Sequence, residues 1–217
     1  MKRLVHIVAT ALLLAGVACG GENEVPQSST HYLYDMVTYV DSNATTGEIT
    51  WELVGRDHST TRLRGFTMLA QGTERLQRML LRYNYDDEKA GTVKVYGTSN
   101  VFTDSLRVAS QPIDHYAKRP IKTRSMWRTG DYINLHCQVE YTGKARTMTL
   151  LLDDATSNRD TVECYLCHDL RTDTAYFWRE CYASFNVGNV WKRPQCTTLR
   201  VHVIDNDLGN RTHDFAK

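Results

Sequence analysis

The sequence predicts an all-β protein in which a small OB-like barrel is followed by an immunoglobulin-like β-sandwich. Runs of alternating apolar and polar residues, rich in β-branched side chains, recur along the chain, and this two-residue period is typical of half-buried strands. Turn-forming pairs such as Ser42-Asn43 and Ser157-Asn158 separate the runs. No long stretch has apolar residues at helical spacing. Barrels and sandwiches are therefore the favoured architectures.

The chain opens with a pattern typical of a secretory signal peptide. Lys2 and Arg3 precede an apolar run from Leu4 to Ala18, and Cys19 follows directly. This run is short for a bilayer span, which takes about 20 apolar residues. A cysteine after a small residue, followed by polar residues, resembles the lipobox of bacterial lipoproteins. We therefore predict a signal peptide over 1–18 and acylation of Cys19, with simple secretion as the alternative.

A polar segment containing Pro26 follows Cys19, and we interpret residues 19–31 as a lipid-anchored tether. Two or three acyl chains on Cys19 would give a durable membrane anchor, since each buried methylene contributes about 0.8 kcal/mol. The expected location is the cell envelope. The acidic residues Glu22 and Glu24 favour the outer membrane, while the periplasmic or surface side stays open.

The folded body is expected to comprise two domains, a barrel over 32–111 and a sandwich over 112–217. A basic connector that contains Lys118, Arg119 and Pro120 lies between the two groups of strands. The expected strands are 32–41, 48–54, 62–69, 77–85, 92–101 and 106–111 in the barrel, then 121–126, 132–141, 146–153, 160–168, 176–187 and 197–205 in the sandwich.

The charge balance argues against nucleic acid as a partner. The chain has 26 basic and 25 acidic residues, so its net charge is +1, and no general field attracts a polyanion. Beyond the membrane contacted through the anchor, the expected partner is a protein toxin or a glycan.

The absence of common catalytic motifs predicts that the protein is not an enzyme and has no cofactor. The sequence contains no nucleophile elbow, no zinc-protease histidine pair and no phosphate-binding loop. The candidate ligands for a metal site are His136, Cys137, Cys167 and His168. Because neighbouring residues on a strand point to opposite faces, at most two of these ligands could share a side. No metal site is predicted.

Cys164, Cys167 and His168 form a C-x-x-C-H motif, which is the attachment signature of c-type haem. Both thiols could form thioethers, with His168 as one axial ligand and Met126 or Met148 as the other. If the motif lies on a strand, however, the two cysteines point to opposite faces and cannot hold one porphyrin. A haem electron carrier is therefore kept as an alternative function.

Four segments together resemble one family, the NigD-like lipoproteins of Gram-negative anaerobes. They are 35–39 (DMVTY), 77–83 (QRMLLRY), Trp127 with 130–135 (GDYINL), and 166–169 (LCHD). The resemblance implies a lipoprotein signal, an N-terminal OB-like domain and a C-terminal sandwich. The family is named after a gene that lies with a bacteriocin and whose product was proposed to give immunity.

The leading hypothesis is a non-enzymatic lipoprotein that acts by binding and gives bacteriocin immunity or envelope protection. A glycan-binding or surface-assembly accessory is another alternative, because aromatic residues crowd the early strand and the C-terminal part. They include Tyr32, Tyr34, Tyr39, Tyr176, Phe177, Trp178, Tyr182, Phe185 and Trp191.

Overall fold

In a computed structural model of the chain, the structure describes residues 31–69, 72–144 and 148–217. The expected signal peptide 1–18, Cys19 and nearly all of the tether 19–31 lie outside these residues. The body is almost entirely β-structure, which confirms the predicted fold class. Among the described residues, no helix has the length and apolar character needed to cross a membrane.

The N-terminal part is a closed five-stranded barrel in the order β1-β2-β3-β5-β4. All neighbours are antiparallel except β3 and β5, which meet in parallel at Arg64 and Thr92 and close the barrel. The strands are β1 (Leu33–Ser42), β2 (Ile49–Val54), β3 (Thr60–Gly65), β4 (Arg78–Asp87) and β5 (Thr92–Asn100). The alternating apolar residues fill the barrel, and they are Val37, Tyr39, Ile49, Trp51, Leu63, Met79, Leu81, Tyr83 and Val93.

Barrel closure depends on Gly91 at the turn before β5. Its backbone has φ +68°, and a Cβ there would lie 2.2 Å from the carbonyl oxygen of Arg62. The Arg64 amide donates to the Gly91 carbonyl at 2.8 Å. Glycine is required here because it adopts positive φ without strain and lets two backbones approach closely.

The C-terminal part is a sandwich of a four-stranded sheet, in the order β6-β12-β9-β8, and a five-stranded sheet, in the order β14-β13-β11-β10-β7. The four-stranded sheet contains β6 (Phe102–Ser105), β8 (Lys122–Thr129), β9 (Tyr132–Tyr141) and β12 (Phe177–Asn186). The five-stranded sheet contains β7 (Arg107–Val108), β10 (Met148–Leu152), β11 (Thr161–His168), β13 (Thr198–Asp205) and β14 (Gly209–Ala216). A four-residue helix, α1 (Gly188–Trp191), follows β12.

The sandwich core lies between the two sheets and shows the period expected from the sequence. On β13 the alternate residues Leu199, Val201 and Val203 are buried. Ile133, Leu135 and Cys137 of β9 face them from the other sheet within the same apolar cluster. Both sheets therefore keep one face dry and one face available to solvent or to the barrel.

Two expectations at the ends of the sandwich need correction. The strand expected over 106–111 is shortened to β7, which pairs in parallel with β10, and β6 just before it pairs in parallel with β12. Both strands belong to the sandwich sheets, and the closed barrel ends with β5. In addition, β14 was not anticipated, because this edge strand is polar and mostly exposed. Its backbone still pairs with β13 along its whole length.

Candidate binding site at the barrel–sandwich junction

A buried arginine joins the barrel to the four-stranded sheet. Arg78 of β4 is 1% exposed. It donates through Nε to Ser184 Oγ (3.2 Å), through Nη2 to Asn134 Oδ1 (3.0 Å) and through Nη1 to Thr38 Oγ1 (3.1 Å). Its guanidinium also lies 4.6 Å from the ring centre of Tyr132. Burial lowers the pKa of Arg78 to about 10, so the side chain stays charged at neutral pH while its hydrogen-bond acceptors are neutral.

Asn134 is the centre of this network. Its Oδ1 also accepts from Ser184 Oγ at 2.9 Å, and its Nδ2 donates to Thr129 Oγ1 at 2.8 Å. Buried polar groups cost free energy unless they are paired, so a satisfied network favours a single arrangement of the two parts. The junction is therefore held by specific polar contacts.

A cavity of about 320 Å³ opens beside this network, between the barrel and the outer face of the four-stranded sheet. We call it the junction cleft. Its volume falls within the range of small-ligand sites, which often lie between folded parts. The barrel contributes Tyr34, Asp35, Met36, Leu53, Val54, Gly55, Arg56 and Leu80, and the sandwich contributes Ser125, Trp127, Thr129, His136 and Tyr182.

The sandwich wall of the cleft carries a stacked pair of rings. His136 of β9 and Tyr182 of β12 are directly opposite in the strand register, and their rings stack at 4.3 Å with an interplanar angle of 9°. His136 Nε2 donates to Glu180 Oε2 at 2.9 Å. Burial raises the pKa of Tyr182, so its hydroxyl stays protonated and can donate a hydrogen bond. We call His136, Tyr182 and Glu180 the first cluster.

The barrel wall offers a carboxylate that the barrel core holds in place. Tyr83 donates its hydroxyl to Asp35 Oδ2 at 3.0 Å, and burial raises the pKa of this tyrosine well above its usual range. Tyr34, which is 56% exposed, precedes Asp35 on β1. The cleft thus combines exposed aromatic surface with a fixed acceptor and with the cationic Arg56.

Two further depressions share residues with the cleft. One of about 220 Å³ lies on the β4 and β5 side and shares Tyr34 and Leu80. Another of about 440 Å³ lies on the β8 side and shares Arg56, Ser125 and Trp127. Concave surface therefore follows the junction on both sides of the cleft.

The structure separates the residues of the C-x-x-C-H motif. Cys164 lies in the sandwich core, while Cys167, three residues further along β11, points to the other face. His168 is buried, and desolvation lowers its pKa. Met148 is its partner on β10, and Met126 belongs to the other sheet. Because the two thiols diverge, these residues do not fit covalent attachment of one haem.

The four residues considered for a metal site are also apart. His136 and Cys137 lie on β9 in one sheet, whereas Cys167 and His168 lie on β11 in the other. Over 31–69, 72–144 and 148–217 no group of three or more His, Cys, Asp or Glu side chains is placed to hold a metal ion. The predicted lipidation residue Cys19 lies outside the described part of the chain.

Most of the cleft residues were not singled out as a site from the sequence. Asp35 and Trp127 did occur in the segments that carried the family resemblance, and Tyr34 and Tyr182 were among the aromatic residues noted. His136 was named from the sequence only as a candidate metal ligand, and Arg56 gave no local signal of a site. Their proximity depends on how the barrel is placed against the sheet, and the spacing of residues along the chain does not encode this.

These features define a class of β-protein in which an OB-like barrel precedes a sandwich and a cleft forms between them. Residues 106–216 match the NigD-like C-terminal beta sandwich domain, and the chain belongs to this family. The resemblance noted from the sequence is thereby confirmed. No curated protein sequence matches the chain.

Solved structures share this architecture at low sequence identity. A protein described as toxin related from Parabacteroides distasonis is similar with a TM-score of 0.65 and 18% identity, over 86% of this chain and 93% of that one. A NigD-like immunity protein from Bacteroides caccae gives 0.60 and 18%, over 85% and 96%. A protein described as a lipoprotein from Bacteroides fragilis gives 0.56 and 10%, over 86% and 96%. At these identities the similarity shows a common fold.

Proposed function

We propose that this protein is a non-enzymatic, lipid-anchored binding protein of the cell envelope and that the junction cleft is its binding site. The observation that carries the proposal is the cleft itself, which has two walls from different folded parts. Aromatic rings line it, and hydrogen bonds within each wall hold Asp35 and His136 in place. A preformed concave site of this composition suits recognition, because little conformational entropy is lost when the partner binds.

The proposed role is protective: the cleft holds a segment of a protein toxin and so gives immunity of the bacteriocin type. Trp, Tyr and Arg dominate the energetics of protein–protein contacts, and Trp127, Tyr182, Tyr34 and Arg56 supply these side chains in one place. The similar immunity protein and the similar toxin-related protein support a partner of this kind.

The proposed location is the outer membrane, with the body held by acylated Cys19 and the tether 19–31. The apolar run before Cys19 supports export. The similar protein described as a lipoprotein agrees with an anchor. An anchored receptor meets an incoming toxin at the membrane, where a local excess of binding sites is most effective.

Gene deletion with complementation tests the proposed role. Cells that lack the gene are challenged with bacteriocins encoded beside it or made by neighbouring strains, and survival is compared with that of the parent. We expect at least one bacteriocin to kill the deletion strain more strongly, and the wild-type gene to restore survival. A Cys19→Ser gene is expected to restore less, because the protein then lacks its anchor. Unchanged sensitivity to every bacteriocin would contradict immunity.

A glycan ligand is the second candidate, and one feature of the cleft favours it. The rings of Trp127 and Tyr182 line the cleft together with the carboxylate of Asp35. Sugars bind by packing their C–H faces on aromatic rings while their hydroxyls bond to such acceptors. Binding of the purified protein to a glycan array distinguishes the two candidate functions. Binding that Trp127→Ala abolishes would support the glycan function, and silence of a folded sample would oppose it.

A further inference from the structure

We propose that Cys137 and Cys181 form a disulfide bond between β9 and β12 in the exported protein. The structure places the two cysteines directly opposite each other in the antiparallel register. Both are free thiols in this structure. An exported chain meets an oxidising compartment, where such pairs are converted to disulfides.

The strand register suits this cross-link. Directly opposite residues of antiparallel strands have Cα atoms about 4.5 or 5.5 Å apart, depending on the type of pair. Disulfides span Cα separations of about 4.4 to 6.8 Å, so either type is compatible. Both side chains also point to the same face, the sandwich interior, where Cys137 is fully buried and Cys181 is partly buried.

The two thiols differ in a way that assigns each a role. Cys137 is buried, whereas Cys181 is partly exposed. The thiolate is the attacking species in disulfide exchange. Cys181 is the thiol that a donor disulfide can reach, so it reacts first, and Cys137 follows as the resolving thiol.

The reaction is thiol–disulfide exchange with the disulfide of a thiol-oxidising protein or of oxidised glutathione. The Cys181 thiolate attacks that disulfide, which forms a mixed disulfide and releases one donor thiolate. Cys137 then loses its proton and attacks the Cys181 sulfur, which forms the Cys137–Cys181 bond and releases the second donor thiolate. The chain loses two electrons and two protons, and the donor disulfide is reduced to two thiols.

Cys164 and Cys167 are not placed for a similar cross-link between neighbouring strands. Cys164 is opposite Leu152 and Val201, and Cys167 is opposite Thr149, so neither has a cysteine partner in its register. The proposed bond also fixes the register that sets His136 against Tyr182, because these residues adjoin the two cysteines. The inference depends on export and is independent of which ligand the cleft binds.

Peptide mapping of the full chain tests the proposal. The protein is exported in a Gram-negative host, extracted from membranes, denatured in iodoacetamide without reductant and digested with trypsin. Cys137 falls in peptide 129–144, Cys181 in 180–192, Cys164 and Cys167 in 160–171, and Cys196 in 193–200. We expect 129–144 and 180–192 to be linked, with a mass about 2 Da below the sum of the two reduced peptides. Cys167→Ser should keep this link, and Cys181→Ser should leave Cys137 alkylated.

Two results would overturn the proposal. One is alkylation of both Cys137 and Cys181 in the wild-type chain, and the other is a link from either peptide to 160–171 or 193–200. The assigned roles have their own test in single variants treated with oxidised glutathione. The Cys137→Ser variant should form a glutathione adduct on Cys181, whereas the Cys181→Ser variant should form much less glutathione adduct on Cys137. The reverse ratio would overturn the assignment of Cys181 as the attacking thiol.

Discussion

The two sheets of the sandwich carry nearly the same side-chain arrangement on their outer faces. On the five-stranded sheet the rings of Tyr165 and His202 stack at 4.4 Å with an interplanar angle of 10°, and His202 Nε2 donates to Glu163 Oε2 at 2.5 Å. We call these residues the second cluster. Its geometry repeats that of the first cluster closely. The chemistry of a His–Tyr–Glu group therefore does not by itself distinguish the two faces.

What differs is the surroundings of each cluster. The first cluster faces the barrel, so a second wall with its own aromatic and charged groups encloses a cleft. The second cluster borders a cavity of about 330 Å³ whose other side is the segment containing Asp114 and Lys118. It is also tied to an ion-pair network, because Arg200 pairs with both Glu163 and Asp214. The proposed binding site therefore differs from the second face by the barrel wall that encloses it.

Gly91→Ala is expected to have the largest effect on stability, because it disturbs the closure of the barrel. The new Cβ would meet the Arg62 carbonyl oxygen at 2.2 Å, at a residue with φ +68°. We expect a loss of about 4 kcal/mol in the free energy of unfolding, measured by chemical denaturation. Gly47→Ala is the matched control: its φ is +74° but no atom lies within 4 Å of the added Cβ, so it should cost only about 1 kcal/mol. Equal losses would contradict the close approach.

Asn134→Leu is expected to loosen the attachment of the barrel to the sheet of the first cluster. The change removes partners from Arg78, Ser184 and Thr129 and leaves a buried charge with fewer acceptors. We expect a loss of about 3 kcal/mol. The double variant Arg78→Met, Asn134→Leu also removes the charge and should recover to within about 1 kcal/mol of the wild type. A double variant less stable than Asn134→Leu would contradict this explanation.

Acid is expected to weaken the sheet of the second cluster through His168. Desolvation lowers the pKa of His168 below its usual value of 6.5. Just below pH 6.5 the unfolded chain therefore binds a proton at His168 that the folded chain does not bind. Stability is therefore lost as the pH falls from 6.5 through the folded-state pKa. His168→Gln should remove part of this loss. Thermal unfolding of both proteins at pH 8 and pH 5 measures it, and an identical pH dependence would refute the assignment.

Asp214→Asn is expected to give the smallest effect. Arg200 donates to both carboxylate oxygens of Asp214 at 2.8 Å, and this hydrogen bonding lowers the pKa of Asp214. The pair is solvent exposed, so water and salt screen it. We expect a slight loss of stability at low salt that disappears at 1 M salt. A loss that persists at high salt would mean that β14 depends on this pair for packing.

The sequence predicted the elements that bury one face and missed those that do not. The alternation of Leu199, Val201 and Val203 marked β13 because each of these residues enters the core. β14 forms by backbone pairing along an open edge, so its polar side chains carried no periodic signal. β6 lies between two expected strands, and β7 covers only two residues of the strand expected over 106–111. The period of apolar residues indicates which side chains are buried, and it gives no information on backbone pairing at the edge of a sheet.

The site was harder to predict than the fold, since it combines residues far apart in the chain. Asp35 and Arg56 reach the cleft from the barrel, while Trp127 and Tyr182 reach it from different strands of the sandwich. Only the docking of the barrel, which Arg78 fixes, brings them together. In contrast, the strand argument about Cys164 and Cys167 needed no tertiary information, because the side-chain period of a strand is local.

Paired alanine variants in the two clusters test whether the junction cleft is the binding site. Tyr182→Ala removes a stacked ring from the first cluster, and Tyr165→Ala removes its counterpart from the second cluster. Each variant is returned to the deletion strain, matched for protein level in the membrane, and challenged with the bacteriocin against which the wild-type gene protects. We expect Tyr182→Ala to lose most protection and Tyr165→Ala to keep it. Equal protection by both variants, or loss with Tyr165→Ala alone, would contradict the junction cleft as the binding site.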